Sequence, residues 1–186
     1  MELSKAIEER RALRSLGNFE VTPSIIKELT EAAKFAPSCF NNQPWRYLFV
    51  YEKEKLKEMR SALSKGNEWA YKSPLIVAVL SKEDLDCVIA KRRKYYQFDT
   101  GISAGFMMLK ATEMGLVAHP IAGYSPKNTR KILNIPKDMK VITLIVFGKK
   151  MEKPDPELSD KMQNVEKNRP QRLPQEKFVF KNTYEQ

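Results

Sequence analysis

The sequence predicts one domain in which helices and strands are mixed. Three observations carry that reading. Apolar residues recur at helical spacing in several segments with clear ends, β-branched and aromatic runs separate those segments, and 186 residues suit one core rather than two. The expected division is a core over residues 1–150 and a polar extension over 151–186 that belongs to the same domain.

A first helix is expected over about Ser4 to Leu16, with Leu3, Ile7 and Leu13 on its apolar side and Arg10, Arg11 and Arg14 clustered towards its end. The second helix has sharper limits. Thr22 can cap it, Pro23 suits the first helical position, Pro37 stops it, and Ile25, Leu29, Ala32, Ala33 and Ala36 keep helical spacing between them. Trp45 to Tyr51, rich in aromatic and β-branched residues, reads as a strand. Lys53 to Leu63 aligns Leu56, Met59 and Leu63 as an amphipathic helix, and Pro74 to Leu80 is apolar throughout, as a strand covered on both faces would be.

A long, largely apolar helix follows over Tyr95 to Met114. Its small residues Gly101, Ser103, Ala104 and Gly105 admit the close approach of another helix or a cofactor, and Gly115 is placed to end it. Leu116 to Tyr124 carries a short strand into a turn, Ser125 and Pro126 open a helix reaching about Asn134, and Val141 to Gly148 forms the last strong strand. Lys149 to Gln175, interrupted by Pro154, Pro156, Pro170 and Pro174, has little means of building its own core. The strand-like K-F-V-F-K at 177–181 needs a sheet edge, such as one on another subunit.

Composition narrows the function. No apolar run approaches the roughly 20 residues of a membrane helix, and the charged N-terminus lacks the apolar core of a signal peptide, so the expected location is the cytoplasm with no membrane partner. Cys39 and Cys87 form no C-x-x-C pair and His119 is the sole imidazole, so a disulfide scaffold and a metal centre are both set aside. The net charge of +10 favours phosphate-bearing partners, either a nucleotide cofactor or nucleic acid. Lys91 to Lys94, K-R-R-K, reads as solvated surface. No P-loop or dinucleotide fingerprint occurs, so a phosphate would have to be held by side chains. Arg10, Arg11 and Arg14 could converge on one, or form a solvated basic turn. A Cys39–His119 nucleophile pair has no visible orienting partner, and His119 beside Pro120 reads as structural.

The stretch from Ala36 to Tyr47, A-P-S-C-F-N-N-Q-P-W-R-Y, concentrates a thiol and three amides between a helix and a strand. Asn41, Asn42 and Gln43 each pair a donor with an acceptor, which serves a heterocycle edge or an ordinary turn equally. Together with E-R-R-A-L-R, W-A-Y-K-S-P-L-I-V-A-V, F-D-T-G-I-S-A-G-F-M-M-L-K-A-T-E-M-G-L, P-I-A-G-Y and R-L-P, this stretch makes the whole chain resemble the nitroreductase family of flavin mononucleotide (FMN) enzymes. The P-S-x-x-N-x-Q-P-W pattern is the most specific of these landmarks.

The resemblance implies an α+β fold, a mixed and mainly antiparallel sheet flanked by helices, in an intertwined homodimer whose C-terminal tails cross to the partner. It implies that Arg10, Arg11, Arg14 and Arg172 neutralise the FMN phosphate, with Ala12 at a position where the family commonly carries a hydroxyl. Pro37, Ser38, Cys39 and Asn41 match a loop lying along the flavin from the other subunit, with Gln43 close by. Ala122 and Gly123 match a turn near the isoalloxazine ring, and Asn67 a residue reaching the flavin. Cys39 stands where serine is common and reads as a thiol filling that space.

The activity so implied is hydride transfer from NAD(P)H through FMN to a small acceptor such as a nitroaromatic or quinone, in ping-pong order, with no single catalytic acid or base. Three alternatives stand beside it. One is another reaction on the same fold, reductive dehalogenation or a dehydrogenation, decided by loops at 65–71 and 84–96. Another is a flavin-binding protein without turnover. The last is a nucleic-acid module, for which no recognition motif is visible.

Overall fold

The computed structural model describes residues 2–87 and 93–184. The element order is α1 (Leu3–Glu9), β1 (Leu16–Gly17), α2 (Pro23–Lys34), β2 (Arg46–Val50), α3 (Lys53–Met59), β3 (Leu75–Ser81), α4 (Tyr95–Glu113), β4 (Leu116–Ile121), α5 (Pro126–Ile132), β5 (Lys140–Lys150) and α6 (Asp160–Lys167). β5 is the hub of the sheet: it pairs with β1, β3 and β4, and β2 lies on the far side of β3. All these pairings are antiparallel, as the α+β expectation requires.

The alternation of side chains along a strand divides the core between the two faces of the sheet. On one face Leu75, Val77 and Val79 of β3 join Ile145 and Phe147 of β5 against Leu29 and Ala33 of α2 and Ala104, Met107 and Ala111 of α4. On the other, Ile76, Ala78 and Leu80 join Leu144 and Val146 against Met59, Trp69 and Leu158. Covering on both faces explains why β3 is apolar throughout, and every residue of it is buried. Ser103 adds a polar tie: its hydroxyl donates to the Ala33 carbonyl at 2.8 Å and meets Tyr47 Oη at 2.6 Å. Burial of the ring pushes the Tyr47 phenol up to about 12, so it remains a neutral partner.

Local signals set several element ends. Thr22 Oγ1 accepts from the Ile25 N–H at 3.3 Å with Pro23 behind it, and Ser125 Oγ accepts from Asn128 N–H at 3.2 Å with Pro126 behind it. Gly115, at φ 74°, closes α4 in a conformation that side chains disfavour. The amphipathic helix expected to reach Leu63 changes to 3₁₀ geometry over Arg60–Ala62.

One sequence expectation fails here. The helix drawn to Leu16 ends at Glu9, and Leu3 and Ile7 are exposed while Leu13 is buried. The extension, read as having little means of building its own core, contains α6 and adds Leu158, Asp155 and Glu166 to the buried residues. The 177–181 segment forms no strand among the described residues, and Phe178, Val179 and Phe180 are exposed. Of the K-R-R-K run, Lys91 and Arg92 lie outside the described residues.

Candidate cofactor site

The arginine segment owes its shape to tertiary partners. After Arg10 N–H bonds the Ala6 carbonyl at 3.0 Å, the backbone of Arg10 turns extended at ψ 119°. Beyond it, the Glu166 carboxylate of α6 accepts from the Arg14 N–H, from the Ser15 N–H at 3.0 Å and from the Ser15 hydroxyl. The Asp155 N–H donates to Ser15 Oγ at 2.7 Å, and His119 Nδ1–H donates to the Leu13 carbonyl at 2.9 Å. These bonds, to residues more than 100 positions away, take the donors and acceptors that a continued helix would have used. Arg10, Arg11 and Arg14 therefore do not lie on the helix that was expected to reach Leu16.

The C-terminal extension returns across this segment. Arg169 donates to the Glu8 carbonyl and, at 3.2 Å, to the Arg10 carbonyl. Arg11 Nη2 donates to the Val165 carbonyl at 2.7 Å, which commits one of its two outer nitrogens, while Ala12 is exposed. Burial, and then the like charges of Arg172 and Arg169, hold the Arg10 guanidinium below its ordinary pKa. Arg169 and Arg172 thus set like charge beside Arg10, and none of the three forms an ion pair among the described residues. Arg172 was expected here. Arg169 was not, although R-P-Q-R-L-P sets the two arginines three residues apart and could have suggested it.

Arg14 links this cluster to a second group of site residues. Its guanidinium lies 6.0 Å from the centroid of the buried Trp69 ring, within reach of a cation–π attraction. Trp69 stacks on His119 with centroids 4.6 Å apart, and its Nε1–H donates to Asn67 Oδ1 at 3.1 Å. Asn67 Nδ2 in turn donates to the Gly123 carbonyl at 2.8 Å. A Cβ on Gly123 would fall 2.4 Å from that nitrogen, so a side chain there would displace the Asn67 amide from this bond. Ala122 is exposed beside it. Trp69 belongs to the core, so the 65–71 stretch is not wholly a covering loop as the sequence suggested.

His119 is structural, as expected, and it carries a pH signature. Burial lowers its pKa, outweighing the Leu13 carbonyl, which raises it. The unfolded chain therefore takes up this proton first as pH falls through the ordinary histidine range near ~6.5, and native stability declines from there towards the lower folded value. Thermal melts should show a fall in melting temperature between about pH 7.5 and 5.5 that shrinks in His119→Gln. An undiminished fall in the variant would rule His119 out as its source.

The loop after α2 is anchored elsewhere. The Cys39 N–H donates to Asp99 Oδ2 of α4 at 3.0 Å, Gln43 N–H to Ser38 Oγ at 3.0 Å, and Asn42 Nδ2 to the Asp86 carbonyl at 3.1 Å. Gln43 Nε2 reaches Asn41 Oδ1 at 3.2 Å, while Pro37 is exposed. Phe40, Asn41 and Gln43 hold φ values of 50°, 56° and 47°, the left-handed region that side chains other than glycine enter at a cost. Cys39 is not the free, space-filling thiol expected from its sequence position. It forms a disulfide with Cys87, the two Cα atoms being 5.8 Å apart. The error arose because the partner lies 48 residues away, and spacing along a chain does not reveal such a pair. A closure of that length contributes on the order of 4 kcal/mol by restricting the unfolded chain.

An antiparallel α+β sheet covered on both faces, with an arginine clasp and a strained amide-rich loop, fits the class of fold that the sequence resemblance implied. A model of the Nitroreductase family matches residues 7–149, and the chain belongs to that family. Among its relatives, the NADH dehydrogenase of Thermus thermophilus is 24% identical over 178 residues, covering 80% of this chain and 86% of that protein. The iodotyrosine deiodinase of Haliscomenobacter hydrossis is 26% identical over 175 residues, covering 79% and 78%. A solved structure described as an oxidoreductase containing FMN shares the fold, with a TM-score of 0.85 at 22% identity, covering 97% of this chain and 91% of that one.

Proposed function

We propose that the protein is an FMN-dependent oxidoreductase that draws on NAD(P)H and delivers electrons to an oxidised small molecule such as a nitroaromatic or quinone. The observation that carries the reading is the convergence of Arg10, Arg169 and Arg172, joined through Arg14 and Trp69 to the lip at Asn67 and Gly123. A phosphate dianion suits the clasp, which otherwise gathers like charge at a cost. A flat heterocycle with alternating donors and acceptors suits the glycine lip and the amides of Asn41 and Gln43. When bound, FMN would supply the two-electron chemistry, accepting a hydride and passing it on.

The residues of this chain bind and orient. Arg10, Arg14, Arg169 and Arg172 would neutralise the phosphate, with Arg11 beside them. Gly123 leaves room for the Asn67 amide, and the turn it makes with Ala122 would lie beside the ring. The amide donors of the loop would favour negative charge on a ring edge without transferring a proton, so this reading assigns no indispensable acid or base.

A homodimer completes the reading. The loop carrying Pro37, Ser38, Cys39, Asn41 and Gln43 is tied through Cys39 to Asp99 of α4 and to Cys87, and through Asn42 to the Asp86 carbonyl, rather than to the arginine clasp, which suits a loop serving a partner's flavin. Open space at Gly101 and Gly105, and the exposed Phe98, Phe106, Phe178 and Phe180, suit a partner at α4 and a tail that crosses to it. No described helix is long and apolar enough to cross a membrane.

The test begins with the absorption spectrum of the purified protein. A yellow protein, or one that takes up added FMN and whose flavin absorbance bleaches on stopped-flow mixing with NADH or NADPH, is expected. A colourless protein that takes up no FMN overturns the reading, and FMN uptake without bleaching reduces it to a binding protein. The deiodinase relative favours a second reading, reductive dehalogenation. Halide release from an iodinated phenol, faster than turnover of quinones or nitroaromatics, would establish it instead.

A further inference from the structure

We propose that the Cys39–Cys87 disulfide is a thiol–disulfide exchange site, and that its oxidation state sets the geometry of the loop at residues 36–43. The effect on flavin binding rests on the FMN reading above, while the exchange itself does not.

Three observations meet at this bridge. Cys39 begins the 3₁₀ turn that holds Phe40 and Asn41 in left-handed geometry, with Gln43 in the same region two residues on. Such a backbone persists only where the surroundings over-determine it. Cys39 is held from two directions, by the Asp99 carboxylate at its N–H and by Cys87 at its sulfur, and Asn42 repeats the second tie through the Asp86 carbonyl. Removing the covalent tie leaves a few hydrogen bonds to hold three residues against their preference. The two residues also differ in exposure: Cys39 is half-buried on a loop whose next residue, Phe40, is 70% exposed, whereas Cys87 is buried. An incoming thiol therefore has one approachable target. In a reducing compartment a bridge of this kind is expected to cycle rather than to serve as a permanent staple.

The exchange balances with a dithiol as reductant. A thiolate of the dithiol attacks Cys39 Sγ, the Sγ–Sγ bond breaks, and Cys87 leaves as a thiolate that takes a proton. The second thiol of the reductant then attacks its own sulfur in the mixed disulfide. Cys39 is released as a thiol and the reductant departs as a cyclic disulfide. Two electrons and two protons pass to the protein. Oxidation by a disulfide of the same class runs the sequence backwards.

If the oxidised loop is the flavin-binding form, flavin and disulfide favour each other by the same factor. A tenfold difference in flavin affinity makes the bridge about 30 mV harder to reduce when FMN is bound.

The experiment compares the full-length protein before and after reduction with a phosphine that is then removed. Thiol titration should count none, then two. Limited digestion with chymotrypsin should cut within residues 35–43 only after reduction. The dissociation constants of FMN and of riboflavin, read by flavin fluorescence, should both rise about tenfold, because the loop is expected to touch the ring and not the phosphate. The double variant Cys39→Ser, Cys87→Ser should match the reduced protein and not respond to the phosphine. The proposal is overturned by two reactive thiols that no disulfide reagent will oxidise, or by digestion that is the same in both states. Unchanged flavin affinity despite a changed digestion pattern overturns the control of the flavin loop. Absence of flavin binding in both states overturns the FMN reading instead, and digestion alone then decides the exchange site.

Discussion

Replacing Glu166 with alanine should cost about 3–5 kcal/mol of stability, because the Arg14 and Ser15 N–H groups and the Ser15 hydroxyl lose a buried charged acceptor together. For a chain of this size that is a fall in melting temperature of roughly 10 °C or more. Glu166→Gln should lose less, since one amide oxygen can still accept while the amide nitrogen faces donors. The carboxylate also positions the arginine clasp. In Glu166→Gln, FMN affinity should therefore fall about tenfold while riboflavin, which lacks the phosphate, binds as before. Titration of both flavins against the folded variant checks this. A parallel loss of both would mean that Glu166 supports the fold at large and not the clasp.

Arg10→Ala should separate binding from stability in the opposite sense. Loss of one guanidinium from the clasp should weaken FMN binding by about 1.5–3 kcal/mol, roughly 10- to 100-fold, and leave riboflavin unaffected. Removing it also relieves repulsion from Arg172 and Arg169, the like charges that help to lower its pKa. The apoprotein should therefore melt at the same temperature or slightly higher, as expected where a binding site stores unfavourable charge. The dependence of FMN affinity on salt should flatten in the variant, because fewer charges meet the phosphate. Equal losses for FMN and riboflavin would place the phosphate elsewhere.

The two variants probe a site of which the sequence showed only part. Arg10, Arg14 and Arg172 were legible because a basic cluster and R-L-P match a family pattern, and Gly123 because P-I-A-G-Y matches another of its landmarks. Asn67 was legible by pattern, and its partners Trp69 and Gly123 became visible only in the fold. Glu166 left no local trace, and Arg169 only its spacing of three residues from Arg172. A glutamate and an arginine in a polar, proline-broken extension look like solvated charge until the chain folds back across residues 8–15.

Short-range physics explains what the sequence determined by itself. The starts of α2 and α5 follow from Thr22–Pro23 and Ser125–Pro126, the end of α4 from Gly115, and the burial of β3 from an unbroken apolar run, all within a few residues of the element concerned. Tertiary structure decided the features whose partners are remote. Arg10 to Ser15 leave the helix because Glu166, Asp155 and His119 compete for their backbone and side-chain groups, and α6 is held by the same bonds. Cys39 finds Cys87 across 48 residues because α4 and the 83–87 segment bring the two backbones together. Periodicity and capping report what a segment can do alone, whereas the clasp and the bridge depend on surfaces that exist only once the sheet has formed.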